Sequence, residues 1–180
     1  ILKENHNTIL IFVIPLILIL IGFAVYRDYG VSLDEETNRN NSLVWIKYIL
    51  DFFAPEYSQN IKLLEGVPNV KDYLYDAPYG VIFEVFITGI IEILFGVKNF
   101  QDIFAYRHLA NHFLFIISII CFYFLINNLF KSKIYSFFGA SILYTTPRIF
   151  ADSFYNSKDL AFLSFFIFLI FFSIRFLKKK

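Results

Sequence analysis

Three carboxylates stand side by side in Leu33-Asp34-Glu35-Glu36-Thr37-Asn38-Arg39. They follow closely on an apolar run, and beside a low-dielectric slab mutual repulsion makes a carboxylate a competent general base. The plainer alternative is that they acidify a helix N-terminus and offset its macrodipole. A second group, Thr146 to Asp159, sets two cations, Arg148 and Lys158, beside two carboxylates, Asp152 and Asp159. Such cations can hold a phosphate, and such carboxylates a sugar hydroxyl or an ammonium. The alternative here is a solvated loop in which Asp159 caps the next helix. Asp76-Ala77-Pro78-Tyr79-Gly80 adds a carboxylate in a turn. His108 and His112 share a helix face at a spacing that can ligate a metal, yet no HExxH glutamate accompanies them, and packed histidines are the commoner case. Arg107, at the same depth, reads as a phosphate contact or as a snorkelling arginine.

The elements that must carry these residues are apolar. The chain has 180 residues, 58% hydrophobic, 21% aromatic and 17% charged. A soluble domain carries roughly a quarter charged residues, and 25 Phe exceed what a core of this size can hide. The excess must face lipid. A net charge of +1 gives no basic footprint for nucleic acid, and a single cysteine excludes a disulfide framework and a Cys-based zinc site. With no Met and Ile1 as its first residue, the chain is expected to be a piece of a longer membrane protein.

Four runs are expected to span: residues 9–26, 109–130, 134–151 and 160–177. The first reaches about 27 Å as a helix, close to the hydrocarbon thickness. Pro15 need not stop a membrane helix, and FAVYRDYG lacks a convincing signal-peptidase site. Tyr79–Val97 is ambiguous because it holds Glu84 and Glu92. With Lys3 cytoplasmic and four crossings, Lys131, Lys133 and Lys178-Lys179-Lys180 all fall inside, whereas a fifth crossing would place them outside. Two glutamates in hydrocarbon would also be costly. Tyr79–Val97 is therefore expected to lie as an amphipathic helix at the outer surface or tucked against the bundle.

This leaves an outer segment, residues 27–107, with 12 of the 15 acidic residues and 7 basic ones. Acidic chemistry is concentrated on one side. Within it, Ser32 is a plausible N-cap, with Glu35 completing a capping box. A helix should follow to Phe53, its apolar stripe formed by Leu43, Trp45, Ile46, Ile49, Leu50 and Phe53, with Pro55 ending it. Residues 64–78 are loop-like, and 148–159 form a short second outer loop. The expected fold is an all-α polytopic membrane bundle of about four transmembrane helices, with short amphipathic helices in the first outer loop.

In order along the chain, these pieces resemble the N-terminal module of a GT-C glycosyltransferase, of the protein O-mannosyltransferase and lipid A aminoarabinose transferase-like family. The resemblance rests on Asp34-Glu35 after the first helix, Asp76-Ala77-Pro78-Tyr79, the stretch Leu94-Phe95-Gly96-Val97-Lys98-Asn99-Phe100, Arg107 opening the next span, and Asp159 opening the fourth. It implies inverting transfer of a sugar from a polyprenyl-phosphate donor to an acceptor on the outer face. By the resemblance Asp34 is the leading catalytic carboxylate, Glu35 supports it, and Asp159 is a second active-site acid. Asp76 stands where some relatives carry a metal-ligating carboxylate, which makes a divalent metal a candidate cofactor, although Ala77 replaces the lysine of some relatives. Arg107, Arg148 and Lys158 are candidate phosphate contacts. Lipid-chain burial between Phe-rich helices would supply donor affinity at about 0.8 kcal/mol per CH₂. The expected partners are the lipid-linked donor, membrane lipid and the C-terminal remainder of the protein, whose helices complete the donor groove in the family. The expected location is a prokaryotic inner membrane, with both termini cytoplasmic. The competing readings are a non-catalytic membrane binding or assembly subunit of the same ancestry and a transporter or flippase fragment; no helix shows the paired Gly/Pro breaks of transporter sites.

Overall fold

The computed structural model describes residues 2–73 and 81–178, with side chains from residue 14 onward. Among the described residues the chain is all-α, without strands. It divides into two compact units, Ile1–Tyr29 with His108–Lys180, and Gly30–Arg107.

The first unit begins with α1 (Leu2–Val25), which runs through Pro15 without a break. In the second unit, α2 (Leu33–Phe53) is followed directly by α3 (Pro55–Asn60), where Pro55 occupies the first turn that its missing N–H suits. A 3₁₀ turn at Lys62–Leu64 leads on, and α4 (Ile82–Thr88) then widens into a π-helical turn over Gly89–Leu94. Leu43 and Ile46 on α2 close over Leu64, with Leu50, Val85 and Ile93 packed around them. Of the expected stripe, Ile49 and Phe53 are exposed.

The helix α5 (Phe100–Phe130) has 31 residues. Its part from His108 onward is the axis of the first unit. Phe23 meets Phe113 edge to face at 5.8 Å, and the Tyr26 carbonyl meets His108 Nδ1 at 3.2 Å, so α1 runs antiparallel to α5. Next comes α6 (Lys133–Thr145), with Gly139 against Ile126 and Tyr144 stacked over Phe115 at 6.0 Å. It too is antiparallel to α5. After α7 (Pro147–Tyr155), α8 (Asp159–Lys178) sets Leu160 and Leu163 beside Phe115 and Ile119 at one end, while Phe171 and Lys178 meet Phe124 and Asn128 at the other. Thus α8 is parallel to α5, and the unit reads up, down, up, down.

Among the described residues two helices, α5 and α8, are long and apolar enough to cross a membrane, while Ile14–Val25 is a shorter apolar stretch within α1. The third span expected over 134–151 is not one helix. α6 stops at Thr145, and Thr146 is extended with ψ 115°, the conformation that Pro147 imposes on the residue before it.

Of the stretch Tyr79–Val97, expected as an amphipathic helix at the outer surface or tucked against the bundle, Tyr79 and Gly80 lie outside the described residues. Its helix is packed against α2 with Glu84 and Glu92 buried, at 4% and 6% exposure. The cost argued for these acids assumed that they stood alone, and each is matched by an arginine.

Candidate functional site

In the second unit, Ser32 caps α2 in an extended conformation, and its N–H donates to Glu35 Oε2 at 2.7 Å. The expected capping box is present. It separates the three acids: Glu35 is buried at 3% exposure, whereas Asp34 and Glu36 face outward. Asp34 therefore projects from the first turn of α2.

The register of that turn is held by polar groups inside the unit. Glu35, Arg39 and Ser42 share one face of α2, while Glu84, Thr88 and Glu92 recur every four residues on the facing segment. Arg39 forks onto Glu92, with Nε 2.8 Å from Oε1 and a terminal nitrogen 2.5 Å from Oε2. Ser42 and Thr88 hydroxyls meet at 2.7 Å. Arg107, from α5, donates to Thr88 Oγ1 at 2.8 Å and pairs with Glu84. A bidentate arginine–carboxylate pair fixes orientation as well as charge.

In the first unit, Arg148 is 91% exposed, with Nε 3.7 Å from Asp152 one turn later. Tyr155 hydrogen-bonds to Asp152, and that bond, with burial, holds its phenol above the usual range. Asn156 Oδ1 accepts from the Asp159 N–H at 2.9 Å, and Asn156 Nδ2 donates to Asp159 Oδ2 at 3.1 Å. Asp159 is thus both the opening residue of α8 and half of a reciprocal cap. Lys158 and Asp159 are exposed.

His108 and His112 are buried on α5. His112 Nδ1 meets Ser153 Oγ at 2.8 Å, its Nε2 lies 3.4 Å from the Tyr144 hydroxyl, and its ring stacks on Phe154 at 4.3 Å. Both nitrogens of His112 are engaged by α6 and α7, which makes this histidine a tie between helices.

The candidate residues are therefore distributed as follows. Asp34 faces solvent and Glu35 faces inward in one unit; Arg148, Lys158 and Asp159 are exposed in the other. Arg107, expected to meet a phosphate, is buried at 4% exposure and committed to Glu84 and Thr88. Asp76 lies outside the described residues, and among those described no group of three or more His, Cys, Asp or Glu is gathered that could hold a metal. The sequence reading missed Arg39, Glu84 and Glu92 as partners. The available signal was the four-residue recurrence of Glu84, Thr88 and Glu92 inside an apolar run, which marks one polar helix face.

The chain matches no protein-family model, no curated protein and no solved structure. Among the described residues the geometry offers two exposed carboxylates, Asp34 and Glu36, at the start of α2, and two separate exposed cations, Arg148 near the start of α7 with Asp152 one turn later and Lys158 next to Asp159 at the start of α8. The carboxylates can accept a proton, and the cations can receive an anionic group.

Proposed function

We propose that the chain is the N-terminal module of a membrane glycosyltransferase that moves a sugar from a polyprenyl-phosphate donor to an acceptor on the outer membrane face. The observation that carries this reading is the division of labour in the acidic cluster. Glu35 is spent on the cap and Arg39 on Glu92, so Asp34 and Glu36 are left facing outward on a turn tied from within, and of the two it is Asp34 that the resemblance makes the catalytic carboxylate.

In the proposed step Asp34 takes the proton of the acceptor nucleophile as that atom attacks the anomeric carbon. The bond from that carbon to the phosphate oxygen breaks, and polyprenyl phosphate leaves with the electron pair, inverting the centre. The leaving group is already an anion of low basicity, so a base worth about 10² to 10⁴-fold is the main chemical requirement. Arg148 and Lys158 are assigned to the phosphate, Asp159 to a sugar hydroxyl or an acceptor ammonium, and Asp76 to a divalent metal.

The helix directions of the first unit support a four-crossing arrangement. Up, down, up, down puts the start of α1, the α5–α6 turn with Lys131 and Lys133, and the end of α8 on one face, which the positive-inside rule assigns to the cytoplasm. The proposed setting is a prokaryotic inner membrane. α6 supplies about 20 Å of the third crossing at 1.5 Å per residue.

The test is Asp34→Asn in the full-length protein, with membranes supplied with undecaprenyl-phosphate sugars labelled in the sugar. Transfer should fall by two or more orders of magnitude with expression unchanged. Undiminished transfer by the variant would remove the catalytic reading and favour a non-catalytic subunit.

A further inference from the structure

We propose that the cleft between the C-terminal ends of α5 and α8 is a binding site for an anionic phospholipid. The cleft is a shallow, open one of about 390 Å³, lined by Phe124, Asn128, Phe171, Arg175 and Lys178. Its lining joins two aromatic rings, Phe124 and Phe171, to two cations, Arg175 and Lys178. The Arg175 guanidinium lies over the Phe171 ring at 5.5 Å, and Lys178 Nζ donates to the Asn128 carbonyl at 3.2 Å. Phe172, Phe176 and Leu177 on α8, with Leu129 and Phe130 on α5, carry exposed apolar surface at the same level along their helices.

Charge selects the occupant. Among the described residues no carboxylate lines the cleft, and the sequence holds no acidic side chain between 103 and 151 or after Asp159. Lys131 and Lys133 follow Asn128 within five residues, and the Lys3-Glu4 pair at the start of α1 adds no net charge. Part of this positive charge answers the helix ends themselves, since each C-terminus carries roughly half an elementary negative charge. Two C-termini thus offset about one of the four cations Lys131, Lys133, Arg175 and Lys178. The surplus sits where two apolar helices end. A group that is anionic at its head and apolar along its body satisfies both features, and a phospholipid headgroup with its acyl chains is that group. A free phosphate would answer the cations but leave the two lining rings and the exposed Phe and Leu side chains uncovered.

The inference shares with the proposed function only the placement of α5 and α8 in a bilayer, and its test reads lipid retention, not sugar transfer. The full chain is purified in detergent, exposed to an equal mixture of phosphatidylglycerol and phosphatidylcholine, and its retained lipids are counted by native mass spectrometry. Phosphatidylglycerol should be retained preferentially. R175Q/K178Q should lose that preference by about fivefold per cation, about thirty-fold for the pair, and R175K/K178R should keep it, which separates lost charge from lost folding. Equal retention of the two lipids would overturn the proposal, as would wild-type selectivity in R175Q/K178Q. A thermal shift with inorganic phosphate as large as that with phosphatidylglycerol would assign the cleft to a free anion and also overturn it.

Discussion

Arg39 and Glu92, 53 residues apart in sequence, are joined by two parallel hydrogen bonds of 2.8 and 2.5 Å, with the Glu92 side chain 1% exposed. This fork ties the helix that presents Asp34 to the segment holding Glu84 and Thr88. Removing one partner strands a buried charge, whereas replacing both with apolar groups of similar volume need not destabilise.

Arg39→Ala should therefore cost about 3–5 kcal/mol, and the double replacement R39M/E92L should lie close to wild type. Thermal unfolding followed by the fluorescence of Trp45, the single tryptophan, on α2, checks both. A double variant as unstable as R39A would show that the pair does more than compensate its own burial.

Gly22 is where α1 passes over the imidazole of His112. A Cβ there would lie 2.6 Å from His112 Cδ2. The ring is held between Ser153, Tyr144 and Phe154, so it cannot yield freely. Gly22→Ala should cost about 1–3 kcal/mol through overpacking, and G22A/H112A should recover part of that loss. Midpoints of thermal denaturation in detergent for the two variants, each against its parent, read the coupling.

The start of α8 depends on Asn156. Asn156→Ala removes both hydrogen bonds to Asp159 and should cost about 1 kcal/mol, the usual value of an N-cap side chain. Asn156→Asp retains an acceptor for the Asp159 N–H but sets two carboxylates together, so its stability should fall as pH rises through the carboxylate range. Unfolding midpoints at acid and neutral pH distinguish the two variants.

Much of the scaffold was legible because its causes are local. Ser32 and Glu35 announce the start of α2 by type and spacing, and the long apolar runs announce α5 and α8 by composition. Pro147 carried the information that ends α6 at Thr145, but the hydropathy of 134–151 continues across it and obscured the break. The acids were harder to place. The burial cost of Glu84 and Glu92 depends on partners elsewhere in the chain: Arg39 precedes Glu92 by 53 residues, and Arg107 follows Glu84 by 23. Arg107 was assigned outward for the same reason, since a lone arginine at a helix start looks like a phosphate ligand until its carboxylate is known. Asp34 and Asp159 were identified as candidates from sequence, while the bonds that distinguish Asp34 from Glu35 emerge only from the fold.

The proposed transfer requires Asp34 and Asp159 to stand on one side of the membrane, opposite Lys133. In the full-length protein, with Cys121 and every cysteine outside these 180 residues replaced by Ala, single cysteines are introduced at Leu33, which is 94% exposed, at Lys158 and at Lys133. Each is exposed in intact cells to a thiol reagent that cannot cross the membrane, in a host whose outer barrier the reagent passes. L33C and K158C should be labelled from outside, and K133C only after the membrane is opened. Labelling of L33C and K158C from opposite sides would contradict the proposed transfer, as would labelling of K133C together with K158C.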